Sequence, residues 1–269
     1  MPEFIVPDWP VPAGVRALQS TRLGGVSTAP YADFNLGGHV GDAPEAVAEN
    51  RALLRAALPA DPFWLVQVHG FRVMDLDAMP AHGEADAALS RRPDCVCAVM
   101  TADCLPVLFC DQGATVVAAA HAGWRGLCAG VLEATLAAMR VPAGEILAWL
   151  GPAIGREAFE VGGEVRAAFV ARDRAAASAF RERGNGKFLA DLYALAQQRL
   201  NAAGVMAIHG GGFCTVSEAR RFFSYRREGR TGRMASLIWL DGGSGTAIGK
   251  SEVSKNEQVP GPVEGPEKF

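Results

Sequence analysis

Thr101-Ala-Asp-Cys-Leu-Pro-Val-Leu-Phe-Cys-Asp-Gln-Gly-Ala-Thr-Val-Val-Ala-Ala-Ala-His-Ala-Gly-Trp-Arg-Gly126 is the stretch whose reading decides the fold. Two apolar segments, Leu105 to Cys110 and Ala114 to Ala120, flank Asp111-Gln112-Gly113. Gly at a tight connection between β-rich runs reads as a hairpin. Cys104 opens the first strand and His121 closes the second, so an antiparallel pair brings a thiol and an imidazole together at one edge of a sheet. Such a meeting suggests either a metal site or a Cys/His nucleophilic pair.

Working outward, Asp94 to Met100 is apolar and leads into this hairpin, so three strands are expected to lie together. Gly126 to Arg140 has helical spacing and would set Trp124, Arg125 and free backbone N–H groups beside the Cys/His edge, where an anion is attracted. Upstream, Val15 to Ser20 reads as a strand followed by a Gly-rich turn, Thr21 to Ser27, and a second Gly-rich loop runs from Phe34 to Asp42. Asp42 with Glu45 forms a capping-box pattern ahead of a helix from Ala46 to Leu58. Leu65 to Val68 and Arg72 to Leu76 read as a second hairpin that delivers His69 and Gly70. Downstream, Ile146 to Leu150 and Ala235 to Leu240 read as strands, with helices from Gly163 to Ala177 and from Asp191 to Ala203, the latter closed by Gly204. The fold class expected is α+β, with layers of mixed β-sheet and hairpins flanked by helices.

The 269 residues can bury a full core, and 49% hydrophobic with 20% charged residues exclude a mainly disordered chain. A net charge of -3 argues against a nucleic-acid-binding surface. Met1 to Pro12 lacks the basic end and apolar core of a signal peptide, and no apolar run is long enough to span a bilayer. The expected location is the cytoplasm, with the 6 cysteines reduced. Residues 1–241 are expected to form one catalytic domain. Residues 242–269, rich in Gly, Pro, Ser, Glu and Lys, are expected to be a disordered tail.

His69, Cys104 and His121 each stand at a strand end, and two imidazoles with one thiolate make a zinc set that leaves a fourth position open. By spacing alone they read equally well as buried or backbone-satisfying residues, because no local metal signature is present. Asp86 and Asp103 could act as a base or orient a ligand histidine. Asp103 precedes Cys104 on extended chain and should point to the opposite face. Arg125, Arg226, Arg227, Arg230 and Arg233 crowd Gly-rich turns and suit phosphate, the alternative being a solvated face paired with Glu218 and Glu228. His82 and His209 read as surface or loop residues.

Seven motifs then occur in one order: Thr21-Arg22-x-Gly24-Gly25-Val26-Ser27; Asn35-Leu36-Gly37 with His39-Val40-Gly41-Asp42; Gln67-Val68-His69-Gly70; Ala102-Asp103-Cys104; His121-Ala122-Gly123-Trp124-Arg125-Gly126; Gly151-Pro152-x-Ile154-Gly155; and Phe223-Ser224-Tyr225-Arg226-Arg227 through Thr231-Gly232-Arg233. Together they resemble the YfiH-type laccase-domain family, also labelled multicopper polyphenol oxidase, from about Val15 to Leu240. The resemblance implies a YfiH-like fold and a cytoplasmic zinc enzyme with ligands His69, Cys104 and His121. It implies phosphorolysis of adenosine, inosine, guanosine or methylthioadenosine, and deamination of adenosine. Expected catalytic residues are Cys104, His121 and Asp103; expected substrate and phosphate contacts are Arg22, Arg125, Arg226 and Arg233. Partners would be a purine nucleoside and phosphate, with the chain a monomer or homodimer. The same two-His, one-Cys set suits copper. A multicopper cluster, however, needs many imidazoles, and the chain has 5 His. Editing of cell-wall peptide precursors, a metal-free hydrolase with Cys104 as nucleophile, and a metal-sequestering protein are the further alternatives.

Overall fold

The computed structural model describes residues 1–78 and 83–243. Among these, two large sheets lie face to face with helices outside both. The first sheet runs, in spatial order, Phe4–Ile5 (β1), Val15–Ser20 (β2), Met234–Leu240 (β14), Cys97–Thr101 (β6) and Phe63–Trp64 (β3). The second runs Ala207–Gly210 (β13), Ile146–Leu150 (β9), Leu105–Asp111 (β7), Val117–Ala122 (β8), Ala87–Ser90 (β5) and Val73–Asp75 (β4). A small antiparallel sheet of Glu160–Gly162 (β10), Lys187–Ala190 (β12) and Phe180–Gly184 (β11) stands apart.

Side-chain alternation explains the layers. On β7, Leu108 and Cys110 point toward Cys97, Val99 and Ile238 of the facing sheet. Val107 and Phe109 point the other way, onto Leu127, Val131, Leu132 and Leu136. Both faces are buried, so the strand reads as an unbroken apolar run. Each such side chain contributes roughly 1.5–3 kcal/mol by leaving water. The outer helices on that face are Trp124–Ala129 (α2), Val131–Met139 (α3), Gly163–Arg172 (α4) and Leu192–Ala202 (α5). On the other flank, Leu54 of Pro44–Arg55 (α1) and the adjacent Leu58 cover Leu18, Ala98, Leu237 and Trp239.

The central hairpin forms as expected, with Leu105 opposite Ala122 and Pro106 opposite His121. The Asp111 carboxylate accepts from the N–H groups of Thr115 and Val116, at 2.7 and 2.9 Å, and closes its turn. Asp191 caps α5 by accepting from Ala194 N–H at 3.0 Å, and Gly204 follows the helix with φ +92°.

Several expectations are corrected. β6 belongs to the facing sheet and packs over the hairpin instead of pairing with it, because its apolar face meets theirs across the core. The stretches around His69 form no hairpin: β3 and β4 lie in different sheets, both in parallel pairings, and the chain between them crosses from one layer to the other. The helix expected over Gly126–Arg140 is two helices, divided at Gly130 with φ +110°. Asp42 forms no capping box; its carboxylate takes Ser27 and Asn35 instead, and α1 starts with Pro44. The helix from Gly163 stops at Arg172, and a 3₁₀ segment, Arg174–Ala179, follows it. His82 and residues 244–269 of the expected tail lie outside the described residues.

Candidate metal centre

Three routes of chain converge at one end of the two sheets. Cys104 immediately precedes β7, and His121 stands near the end of β8. His69 arrives on the crossing segment, held at φ +60°, a conformation that L side chains seldom adopt. The donor atoms of His69, Cys104 and His121 all lie within 4.8 Å of one another. The two imidazoles meet edge to face at 4.8 Å between centroids.

Asp86, fully buried just before β5, holds this arrangement. Its Oδ1 accepts from His121 Nδ1 at 2.8 Å and from His69 N–H at 2.9 Å. Its Oδ2 accepts from Gly70 N–H at 2.6 Å and Val68 N–H at 3.2 Å. Burial would push the Asp86 carboxyl up, but the His121 and Gly70 hydrogen bonds outweigh that and hold it below the ordinary range. Asp86 is thus the histidine-orienting carboxylate that one of the two sequence readings expected. With Nδ1 occupied, His121 turns Nε2 toward the other donors.

Burial likewise disfavours charge on Cys104 and His121, yet their mutual attraction wins: the thiol is pulled down and the imidazole pushed up. This donor set fits zinc, whose bonds of roughly 2.0–2.3 Å need only small side-chain shifts to close. Two glycines make room for it. A Cβ on Gly123 would lie 2.7 Å from Cys104 Sγ and 3.1 Å from the His69 ring, and one on Gly126 would lie 2.6 Å from Gly70 O.

The group lies in a cavity of about 790 Å³ with Trp64, Trp124, Phe159 and Tyr225 among its walls. Arg125, Arg226 and Arg233 also line it. The Arg125 guanidinium stacks over Trp124 at 4.4 Å. Arg226 donates to the carbonyls of Ala158 and Glu160, at 3.4 and 3.0 Å. Arg22 is not among the residues that line the cavity: it donates to Glu228 at 2.7 Å and to the carbonyls of Ala32 and Ala219. Of the five arginines read as either phosphate contacts or a face paired with Glu218 and Glu228, Arg227 meets Glu228 at 3.0 Å, and Arg22 meets the same carboxylate at 2.7 Å. Asp103 lines the cavity at φ +93°, but its carboxylate is taken by Thr215 Oγ1 at 2.5 Å and Arg226 N–H at 2.7 Å. It braces Tyr225–Glu228 (α6) through the Arg226 N–H. His209 is on β13, away from the group.

Sequence reasoning missed His39, Arg51 and Trp64 as cavity residues. His39 sits in a Gly-rich motif already singled out, whereas Arg51 on α1 carries no local signal.

The family model for multi-copper polyphenol oxidoreductase laccase matches residues 16–241. The chain belongs to this laccase-domain family. Escherichia coli purine nucleoside phosphorylase YfiH is 60% identical over 243 residues, which cover 89% of this chain and all of that one. A purine nucleoside phosphorylase of Pseudomonas aeruginosa is 59% identical over 241 residues, 89% of this chain and 99% of its own. The crystal structure of a Neisseria meningitidis protein, 55% identical, superposes with a TM-score of 0.86 over 89% of this chain and 99% of that one. The laccase-domain α+β fold expected from the motifs is therefore established. No described helix is long and apolar enough to cross a membrane.

Proposed function

We propose that residues 1–241 form a zinc-dependent purine nucleoside phosphorylase of the cytoplasm, acting on adenosine, inosine, guanosine and methylthioadenosine, which also deaminates adenosine. The observation that carries this reading is the convergence of His69, Cys104 and His121 within 4.8 Å in a large cavity that arginines also line. The relatives named as purine nucleoside phosphorylases support it. All six cysteines are free, as a reducing compartment would keep them.

In phosphorolysis a phosphate oxygen bonds to the ribose carbon while the carbon–nitrogen bond to the purine breaks. The electron pair leaves with the base, which takes up a proton. Positive charge develops on the sugar, and a phosphate held by guanidinium groups is already placed to meet it. Trp64, Trp124, Phe159 and Tyr225 offer the flat apolar surface that a purine needs. Asp86 keeps the His121 Nδ1 proton in place, so that Nε2 stays available at the centre. Zinc held by His69, Cys104 and His121 would supply a Lewis acid able to generate a hydroxide nucleophile at neutral pH, the chemistry that deamination requires.

The test is metal content together with phosphate-dependent release of free base from adenosine and inosine. Near-stoichiometric zinc and turnover in the wild type, both lost in Cys104→Ala, are expected. The lowered Cys104 thiol beside His121 favours one second reading, a metal-free thiol hydrolase, which would keep its activity after chelation. Copper as the metal found, with oxidation of phenols and no nucleoside turnover, would return the function to the family's older label. Zinc without nucleoside turnover would bring cell-wall precursor editing forward.

A further inference from the structure

The loop between Phe34 and Asp42 is clamped between two arginines that come from distant parts of the chain. Leu36 O accepts from Arg51 Nε at 3.0 Å and Nη2 at 2.9 Å. Leu36 N–H donates to Arg233 O at 3.1 Å, and Arg233 N–H donates to Asn35 Oδ1 at 2.8 Å. The loop approaches both side chains closely: a Cβ on Gly37 would lie 2.8 Å from Arg233 Cγ, and one on Gly38 3.9 Å from Arg51 Nη2. His39 follows directly, and His39, Arg51 and Arg233 all line the cavity of the candidate metal centre.

Among the described residues no carboxylate lies within ion-pair distance of Arg51 or Arg233. Arg51 stacks on Trp64 at 4.4 Å, and Arg233 spends Nη1 on the carbonyls of Thr231 and Gly232, both at 3.0 Å. The groups feel one another. Burial lowers both guanidinium groups, and His39 is lowered by partial burial and then by the charges of Arg233 and Arg51. Partly dehydrated positive charge without a carboxylate at ion-pair distance is costly, and an oxyanion in the cavity would offset that cost.

We propose that His39, Arg51 and Arg233 form an oxyanion subsite that seats inorganic phosphate, the co-substrate of phosphorolysis; the identity of the anion rests on the phosphorylase reading. Arg233 lines the same cavity as His69, Cys104 and His121, so an anion held there lies beside the candidate metal centre. Arg125, stacked over Trp124, and Arg226 are both exposed, whereas Arg51 and Arg233 are half-buried, so neither of the former offers an equally dehydrated fork.

Calorimetric titration of the metal-loaded full chain with inorganic phosphate at fixed ionic strength tests the subsite without turnover. Loss of one charged hydrogen-bond partner should weaken phosphate binding about tenfold or more in Arg51→Gln. His39→Gln, whose side chain braces no backbone group, should weaken it several-fold with unchanged thermal stability, and it carries the test if Arg51→Gln disturbs the loop. Arg125→Gln reads the competing assignment. Wild-type affinity in both the His39 and Arg51 variants, loss confined to Arg125→Gln, or no phosphate binding by the wild type overturns the subsite. In the activity assay the same variants should raise the KM for phosphate and leave the KM for nucleoside near its wild-type value. A wild type that binds phosphate in a His39-dependent way yet releases no base refutes the phosphorylase reading while the subsite stands.

Discussion

Gly123 has φ -60°, an ordinary backbone conformation, so its lack of a side chain is dictated by neighbours and not by the chain itself. The missing Cβ is what lets Cys104 Sγ and the His69 ring approach. Gly123→Ala should therefore fold, with helix content near wild type, while displacing two of the three candidate ligands. Metal stoichiometry after gel filtration should fall well below wild type, and retention of full metal would show that the ligand group can shift aside. Asp86 works at the same scale. One carboxylate orients His121 and pins three consecutive backbone N–H groups around His69, so a single residue coordinates strand end and crossing segment. That role was half legible. An acid near these motifs was noticed, but four donors on one carboxylate follow only from the meeting of β5, β8 and the crossing segment.

At the scale of elements, Glu228 at the end of α6 ties together parts of the chain that are far apart in sequence. It accepts from Arg22 beyond β2, from Arg227 and from Thr231. Burial would raise its carboxyl, but the hydrogen bonds from Thr231, Arg22 and Arg227 outweigh that and hold it below the ordinary range. A carboxylate depressed in the folded state stabilises it above the unfolded-state pKa, and the contribution fades as pH falls through the lowered folded value. The melting temperature of Glu228→Gln should therefore lie below wild type at neutral pH, with the gap closing as pH is lowered from about 7 toward about 3. A gap that stays constant over that range would mean the ion pairs contribute nothing through charge. The Thr21–Ser27 and Phe223–Arg233 motifs lie far apart in sequence. In the structure Arg22 N–H donates to Arg221 O at 2.8 Å and its guanidinium meets Glu228, so the arginine of the first motif braces the second.

For the whole molecule, the face-to-face packing of two sheets sorts the cysteines. Cys97 and Cys110 lie in the layer between the sheets, where burial pushes both thiols up, Cys110 to about 12. Cys214 is part-exposed, and hydrogen bonds from Ser217 and the Gly155 N–H, among others, outweigh burial and lower its thiol. A disulfide reagent applied to the native protein should modify Cys214 early and leave Cys97 and Cys110 untouched until denaturant is added, as peptide mapping would show. Early labelling of Cys97 would mean that the sheets separate readily.

From the sequence alone came the central hairpin, the strands β2, β9 and β14, the helix from Asp191 to Ala203 closed by Gly204, the α+β class and His69, Cys104 and His121 as a candidate ligand set. These follow from local causes: apolar runs, turn residues, caps, and motifs whose order is written in the chain. Tertiary structure decided the rest. Whether β6 pairs with the hairpin or packs across it depends on which apolar face finds a partner, and an apolar run buried on both sides carries no record of the choice. The separation of His69 from the other two ligands by a layer crossing, the four donors on Asp86, the withdrawal of Arg22 into a brace, and the meeting of Arg51 with Arg233 around one loop are all contacts between residues distant in sequence. No local pattern encodes such a contact, because the energy that makes it exists only once both layers are in place.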